Sequence, residues 1–310
     1  MGGGVVLLCP AKLNLALSVG PPGADGFHPL ASTMLALDWG DTLRLERAEK
    51  TQWERMWATG APKPGAIDWA EEKDLAIRAH RLLEQAVGRA LPVRAQLQKN
   101  IPAGAGLGGG SSDAAGTLTG LNRLFDLRMP LEKLEELAAS LGSDVPFFVR
   151  AQHGHPLCLA AGRGERLENL PWPAAMTQAW FALVFPHSAC PTPGIYQAFD
   201  RLGRFGDPAG EGLDQVRAAA CGEAPLFNDL ERAACAVAPE LELVLSCMRG
   251  QPGIPRAQVT GSGSCVYVAA DNYAQAENAA CLGRNAAELP TRVVRARQPD
   301  CSFAVGGIHH

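Results

Sequence analysis

No apolar run in this 310-residue chain approaches the roughly 18 residues that span a bilayer, so no membrane-crossing helix is expected. Closely spaced cysteines are missing too. The nine cysteines, at 9, 158, 190, 221, 235, 247, 265, 281 and 301, never fall within the short spacing of a zinc site. An odd number scattered over so long a chain is no disulfide scaffold, and reduced thiols in a cytoplasmic protein are expected. Excess positive charge is also lacking. A net charge of -4 and a pI near 6.0 exclude nucleic acid or an anionic membrane as the main partner. No basic residue precedes the first apolar run, so no signal peptide is expected. Val6 stands where a myristoylation signal needs Ser or Thr. The final pair His309 and His310 is read as a solvated tail and assigned no metal.

What remains is an ordinary globular composition, 47% apolar and 19% charged, long enough for two domains. Leu13, Leu15, Leu17 and Val19 alternate as in a half-buried strand. A turn-rich loop and a strand pair broken at Gly40 follow, then a stretch over 48–73 that reads as irregular despite Trp53, Trp57 and Trp69. Helices are expected over 74–87, from about 110 to 125, and over 131–141, with a strand leading into residue 100. The second half suggests a strand at 178–185, a helix at 193–203 and helical material at 228–249 interrupted at Pro239. Strands at 256–260 and 265–270, a helix at 273–287 and a strand at 292–297 complete it. Setting aside the extra helical piece, the order is β-α-β-β-α-β, as in ferredoxin-like folds. The expected division is 1–165 and 166–310.

The costliest feature is "IPAGAGLGGGSSDAAG", 101–116, where Gly104, Gly106, Gly108, Gly109 and Gly110 precede a helix start. Glycine gives up packing and backbone entropy, so a run of it calls for a reason. Small residues let backbone N–H groups approach a phosphate, and the helix N-terminus adds its dipole. Ser111, Ser112 and Asp113 stand where a cap and a ligand-facing hydroxyl belong. On pattern alone the choice is between an anion cradle and a flexible turn capped by serine. No lysine occurs between Gly104 and Arg123, which excludes a Walker A loop. Gly104, Gly106 and Gly109 formally match a dinucleotide fingerprint with Asp126 downstream, but the polar "QKNIP" separates them from the strand.

Three further stretches bear on that choice. In "PAKLNL", Lys12 and Asn14 share a strand face opposite Leu13 and Leu15. In "GSDVPFF", Asp144 follows a helix-ending glycine. In "TGSGSC", 260–265, a second glycine-serine loop joins two strands.

Together these stretches resemble the galactokinase, homoserine kinase, mevalonate kinase and phosphomevalonate kinase (GHMP) superfamily. "PAKLNLALSV", "DGFHPLASTMLALDWGDTL", "IPAGAGLGGGSSDAAGTLTGLNRLF", "LGSDVPFFVR", "AGRGERL", "PTPGIY" and "TGSGSCVYV" occur in the superfamily's order and span residues 10 to 268. The resemblance implies an α+β, two-domain architecture, with a ribosomal-protein-S5-like N-terminal domain and a ferredoxin-like C-terminal domain. "GFH" narrows it to the branch whose acceptor is a cytidine diphosphate conjugate of methylerythritol. The implied activity is transfer of the γ-phosphoryl of ATP to the 2-hydroxyl of that acceptor, in the non-mevalonate route to isoprenoid precursors.

Under that resemblance Asp144 is the general base and Lys12 keeps it ionised beside the transferring group. ATP falls to Lys99, Pro102, Gly104, Gly106, Gly108, Gly109, Gly110, Ser111 and Ser112. The acceptor falls to Asn14, Phe27, His28, Thr192, Gly261, Ser262 and Gly263. The branch usually has Tyr where this chain has Phe27, which keeps stacking on the base and loses a hydroxyl hydrogen bond. Mg2+ accompanies ATP, through Ser111 or Ser112, with its further ligands open. A monomer or weak homodimer in the cytoplasm is expected. The competing readings are a homoserine- or mevalonate-type kinase, an NAD-binding oxidoreductase on the formal fingerprint, and a catalytically silent homologue.

Overall fold

The computed structural model describes residues 3–252, 254 and 257–299. His309, His310, Cys301 and the first residue of the strand expected at 256–260 lie outside them.

The first half of the chain runs β1 (Val5–Val19), β2 (Leu30–Arg47), β3 (Gln52–Trp57), α1 (Leu75–Val87), β4 (Val93–Lys99), α2 (Gly109–Leu124), α3 (Leu131–Ala139), α4 (Val145–Gln152), β5 (Leu157–Gly162) and β6 (Arg166–Asn169). The long strand β2 pairs with β5 through its first part and with β4 through its last, while β1 runs antiparallel along its other side. Helices α1 to α4 close over this sheet around a core that includes Leu43, Leu45, Leu83, Leu118, Leu121 and Phe148. Helix α2 lies very close to the strands because Gly116 and Gly120 face them. A Cβ at Gly116 would stand 2.4 Å from Cys9 Sγ, and one at Gly120 2.5 Å from Leu7.

The second half runs β7 (Trp180–Val184), α5 (Thr192–Leu202), α6 (Glu211–Cys221), β8 (Phe227–Asn228), α7 (Glu231–Val237), α8 (Glu240–Arg249), β9 (Ala257–Val259), β10 (Val266–Ala270), α9 (Tyr273–Ala287) and β11 (Thr291–Arg295). Its sheet has the order β11-β7-β10-β9 with every pair antiparallel. That is the ferredoxin-like arrangement expected from the element order. The two sheets meet across a shared core in which Leu13 and Leu15 of β1 pack with Phe181, Leu183 and Tyr267.

Several details depart from the sequence expectations. Residues 48–73 are not wholly irregular, since β3 forms a parallel edge beside β4. Its inner face, Trp53, Arg55 and Trp57, is only half-buried, and the arginine hides the alternation. Helix α4 was not anticipated; Asp144 stands at its N-cap, and its first turn holds Pro146. Helix α6 was not anticipated; its Val216 and Ala219 pack on Ala16 and Ala31 of the first sheet. The hairpin β5–β6 carries the first sheet to Asn169, past residue 165, and β8 returns from the second half to pair in parallel with β1. Among the described residues no helix is long and apolar enough to cross a membrane.

Candidate active site

The two sheets and the glycine loop enclose a cleft of about 530 Å³. Strand β1 forms its floor. Register shifts between Pro10 and Lys12 and between Asn14 and Ala16 bracket the segment that carries Lys12 and Asn14, as bulges often do beside a site. Both side chains line the cleft, while Leu13 and Leu15 go to the core. Lys12 Nζ donates to Asn14 Oδ1, and Asn14 Nδ2 donates to Ser32 Oγ at 2.7 Å. On its other side Lys12 Nζ lies 3.7 Å from Asp144 Oδ2. Burial lowers the Lys12 ammonium from its ordinary value, and Asp144 opposes that shift.

The glycine loop forms the wall. Gly108, with φ of 73°, occupies the N-cap of α2, and a Cβ there would meet the Phe148 ring at 2.7 Å. Gly106, with φ of 76°, lies against the second loop, where a Cβ would fall 2.2 Å from Thr260 O. Only glycine satisfies both the left-handed backbone and that approach. The loop is fastened at three points. Leu107 O accepts from Lys12 N at 3.0 Å, Gly104 O from Ser264 N at 3.1 Å, and Ala105 O from Cys265 N at 3.1 Å.

Beneath the loop lies a charged cluster that sequence reasoning missed. Lys99 Nζ is buried and pairs with both Asp41 and Asp113. Burial alone would lower its ammonium, but Asp113 and Asp41 outweigh that and raise it. Burial in turn pushes the Asp113 carboxyl well up, against the pull of Lys99. Asp41 Oδ1 also accepts the Ile101 N–H at 2.8 Å, so the cluster holds the loop at its entry and, through Asp113, at the first turn of α2. The alternating strand pattern gives no sign of this, because all three charges sit at buried positions that ordinarily hold apolar residues.

Of the residues expected at the site, Lys12, Asn14, Lys99, Pro102, Gly104, Gly106, Gly108, Gly109, Gly110, Ser111, Asp144, Thr192, Gly261, Ser262 and Gly263 all line the one cleft. Thr192 and Ser262 join their hydroxyls at 2.9 Å. Ser112 does not line it: its side chain is buried and its Oγ has no hydrogen-bond partner. Phe27 and His28 also stand outside the lining. His28 is tucked behind Tyr196, which does line the cleft, with ring centroids 5.0 Å apart, and His28 Nε2 lies 3.3 Å from Asp200 Oδ1. Burial, then Asp144, raises the Tyr196 hydroxyl to about 12.

Trp57 and Trp69 also line the cleft. Trp69 Nε1 donates to Asp74 Oδ2 at 2.9 Å and Arg55 reaches the same oxygen at 3.0 Å, while Asp74 Oδ1 caps α1 through Ala76 N. The tryptophan segment is thus anchored on a helix cap.

A carboxylate and an ammonium 3.7 Å apart, with a glycine loop opening a helix above them, suit a site for moving a phosphoryl group onto a hydroxyl. Residues 74–152 match the family described as the GHMP kinases N terminal domain. The chain is 37% identical over 262 residues to the 4-diphosphocytidyl-2-C-methyl-D-erythritol kinase of Polaromonas naphthalenivorans, covering 83% of each. It is 39% identical over 270 residues to the kinase of that name from Xanthomonas campestris pv. campestris, covering 87% of this chain and 83% of the relative. The chain belongs to this family of GHMP kinases. A crystal structure of a 4-(cytidine 5'-diphospho)-2C-methyl-D-erythritol kinase superposes with a TM-score of 0.75 at 33% identity, covering 94% of this chain and all of that one. Mevalonate kinase of Methanococcus jannaschii, at 10% identity and a TM-score of 0.65, shares the fold.

Proposed function

We propose that this protein transfers the γ-phosphoryl of ATP to the 2-hydroxyl of 4-diphosphocytidyl-2-C-methyl-D-erythritol, in the methylerythritol phosphate route to isoprenoid precursors. The observation that carries it is the Lys12–Asp144 pair, 3.7 Å apart under the glycine loop, in a chain whose relatives bear that activity's name.

Asp144 accepts the proton of the acceptor hydroxyl as its oxygen bonds to the γ-phosphorus. The bond from that phosphorus to the β–γ bridging oxygen breaks, and ADP leaves. Such transfers pass through a loose transition state, so position and charge matter most. Lys12 stands between Asp144 and Asn14 and places a cation where charge spreads over the transferring group. The backbone N–H groups of 104–110 and the start of α2 cradle the phosphates. Trp57 and Trp69 offer aromatic faces to the nucleotide base. Lys99 acts on the phosphates through the loop it holds, since its ammonium is already paired twice.

Mg2+ fits at the start of α2. Ser111 and Asp113 line the cleft there, and Asp113 Oδ1 is buried without a partner. Hard oxygen donors of this kind, few in number and completed by phosphates and water, suit magnesium, which supplies charge neutralisation on the phosphates when bound. Thr192, Ser262 and the backbone of Gly261 and Gly263 hold the acceptor, with the exposed Phe27 ring for its cytosine and His28 behind Tyr196. We divide the chain after Asn169 into a nucleotide-binding half and an acceptor half. In this reading the protein acts as a monomer or weak homodimer in the cytoplasm.

The test is ADP release from Mg·ATP with 4-diphosphocytidyl-2-C-methyl-D-erythritol, homoserine, mevalonate and galactose offered separately. Turnover with the cytidine conjugate alone is expected. Turnover with another acceptor would keep the phosphoryl-transfer site and refute the substrate.

A further inference from the structure

The loop between β1 and β2 ends in an aromatic ring that is 56% exposed, Phe27. Such a ring ordinarily moves among rotamers. Here three contacts hold it. Asp25 Oδ1 accepts the Phe27 N–H at 3.0 Å, and Gly23 N–H donates to Phe27 O at 2.8 Å. The other oxygen of Asp25 pairs with Arg163 Nη2, and the Arg163 guanidinium lies over the Phe27 ring, 4.2 Å from its centroid.

Arg163 comes from the turn between β5 and β6. Its own N–H donates to Glu165 Oε2 at 2.6 Å, and its neighbour Gly164 lines the cleft. The turn therefore joins the acceptor loop to the cleft wall. One carboxylate, Asp25, grips both the backbone of Phe27 and the cation that lies on its ring.

We propose that Arg163, tied down by Asp25, is a positioning residue that backs one face of Phe27 and presents the opposite face as a preformed platform for the pyrimidine base of the acceptor. This rests on the reading that the acceptor is a cytidine diphosphate conjugate. A guanidinium is planar and stacks on an aromatic face while its edge bonds a carboxylate, so Arg163 performs both tasks at once. Holding the ring in place before the ligand arrives removes an ordering cost from binding. Arg163 acts through Phe27, over whose ring its guanidinium lies.

The experiment measures the Kd for cytidine 5'-diphosphate by calorimetry, together with KM and kcat for the full acceptor. It uses the wild type, Arg163→Ala, Phe27→Ala and the double variant. Arg163→Ala is expected to weaken base binding about fivefold, the scale of an exposed cation–aromatic contact, with kcat and the KM for ATP unchanged. Phe27→Ala is expected to weaken it about tenfold or more, as loss of a stacking platform does. The double variant should be no weaker than Phe27→Ala alone. Arg163→Lys should restore part of the loss, since it keeps the cation and loses the planar stack.

Additive losses in the double variant would overturn the proposal in favour of a direct contact between Arg163 and the diphosphate. Wild-type affinity in Arg163→Ala would overturn it outright. A wild type that neither binds cytidine 5'-diphosphate nor phosphorylates the conjugate would refute the acceptor reading itself, and that outcome is visible before any variant is made.

Discussion

The Lys12 ammonium lies 3.7 Å from the Asp144 carboxylate, one contributed by the first strand and the other by the cap of α4. In the proposed reaction the pair sets where the acceptor hydroxyl sits. Asp144→Asn keeps the shape and removes the proposed base. We expect turnover to fall by roughly two decades or more while ATP affinity is retained. Steady-state kinetics with nucleotide binding measured separately decides it; unchanged turnover would remove Asp144 from the chemistry.

Burial lowers the Lys12 ammonium below its ordinary 10.5. A lysine so placed loses its proton as pH rises through the lowered value, so its charge is present on the acid side and lost on the alkaline side. The profile of kcat/KM should therefore show an alkaline limb below 10.5. Lys12→Arg, which stays charged throughout that range, should abolish the limb even where it reduces the rate. A limb that persists in Lys12→Arg would assign it to another group.

Lys99→Met leaves Asp41 and Asp113 buried together without their cation. Removing one partner of a buried ionic cluster typically costs about 3–5 kcal/mol, and denaturant unfolding should register a loss of that order. The KM for ATP should rise as well, because Lys99 no longer ties Asp41 at the loop entry to Asp113 in the first turn of α2. A loss under about 1 kcal/mol would show that the cluster does not hold the loop.

Gly106→Ala and Gly104→Ala separate two costs. Both positions have positive φ, but a Cβ at Gly104 meets nothing within 4 Å whereas one at Gly106 strikes Thr260 O at 2.2 Å. Gly104→Ala should cost about 1–2 kcal/mol from backbone strain alone. Gly106→Ala must also push the two loops apart, and should raise the KM for ATP far more. Equal effects would mean that the contact between the loops does not matter to the nucleotide.

The sequence discloses those parts of the site that depend on local rules. The glycine loop, the alternation that turns Lys12 and Asn14 away from Leu13 and Leu15, and the element order of the second sheet are all periodic or compositional signals. Residues joined only by the fold leave no such trace. Asp41 follows a break between strands and Asp113 a glycine run, and nothing in their neighbourhood announces a shared lysine. Asp74 reads as the first residue of a helix, yet it caps that helix and also anchors Trp69 and Arg55, fixing the tryptophan segment. Strand β3 escapes notice because Arg55 interrupts its inner face, β5 because its run LCLAAG is apolar without alternation, and β6 because it is only four residues long. Ser112 shows the converse, a residue well placed in a motif whose side chain the helix turns away from the cleft.

The glycine loop is held by backbone bonds to Ser264 and Cys265 on one side and to Lys12 on the other. Tyr267 reaches the same strand, its hydroxyl donating to Asn14 O at 3.2 Å. The two sheets therefore do not meet as separate bodies at a hinge; they share the loop as a common rivet. Heating should melt both halves in one cooperative transition, and a fragment cut near Asn169 would lack the support its glycine loop needs. The divide that is clear in the topology is thus absent from the energetics.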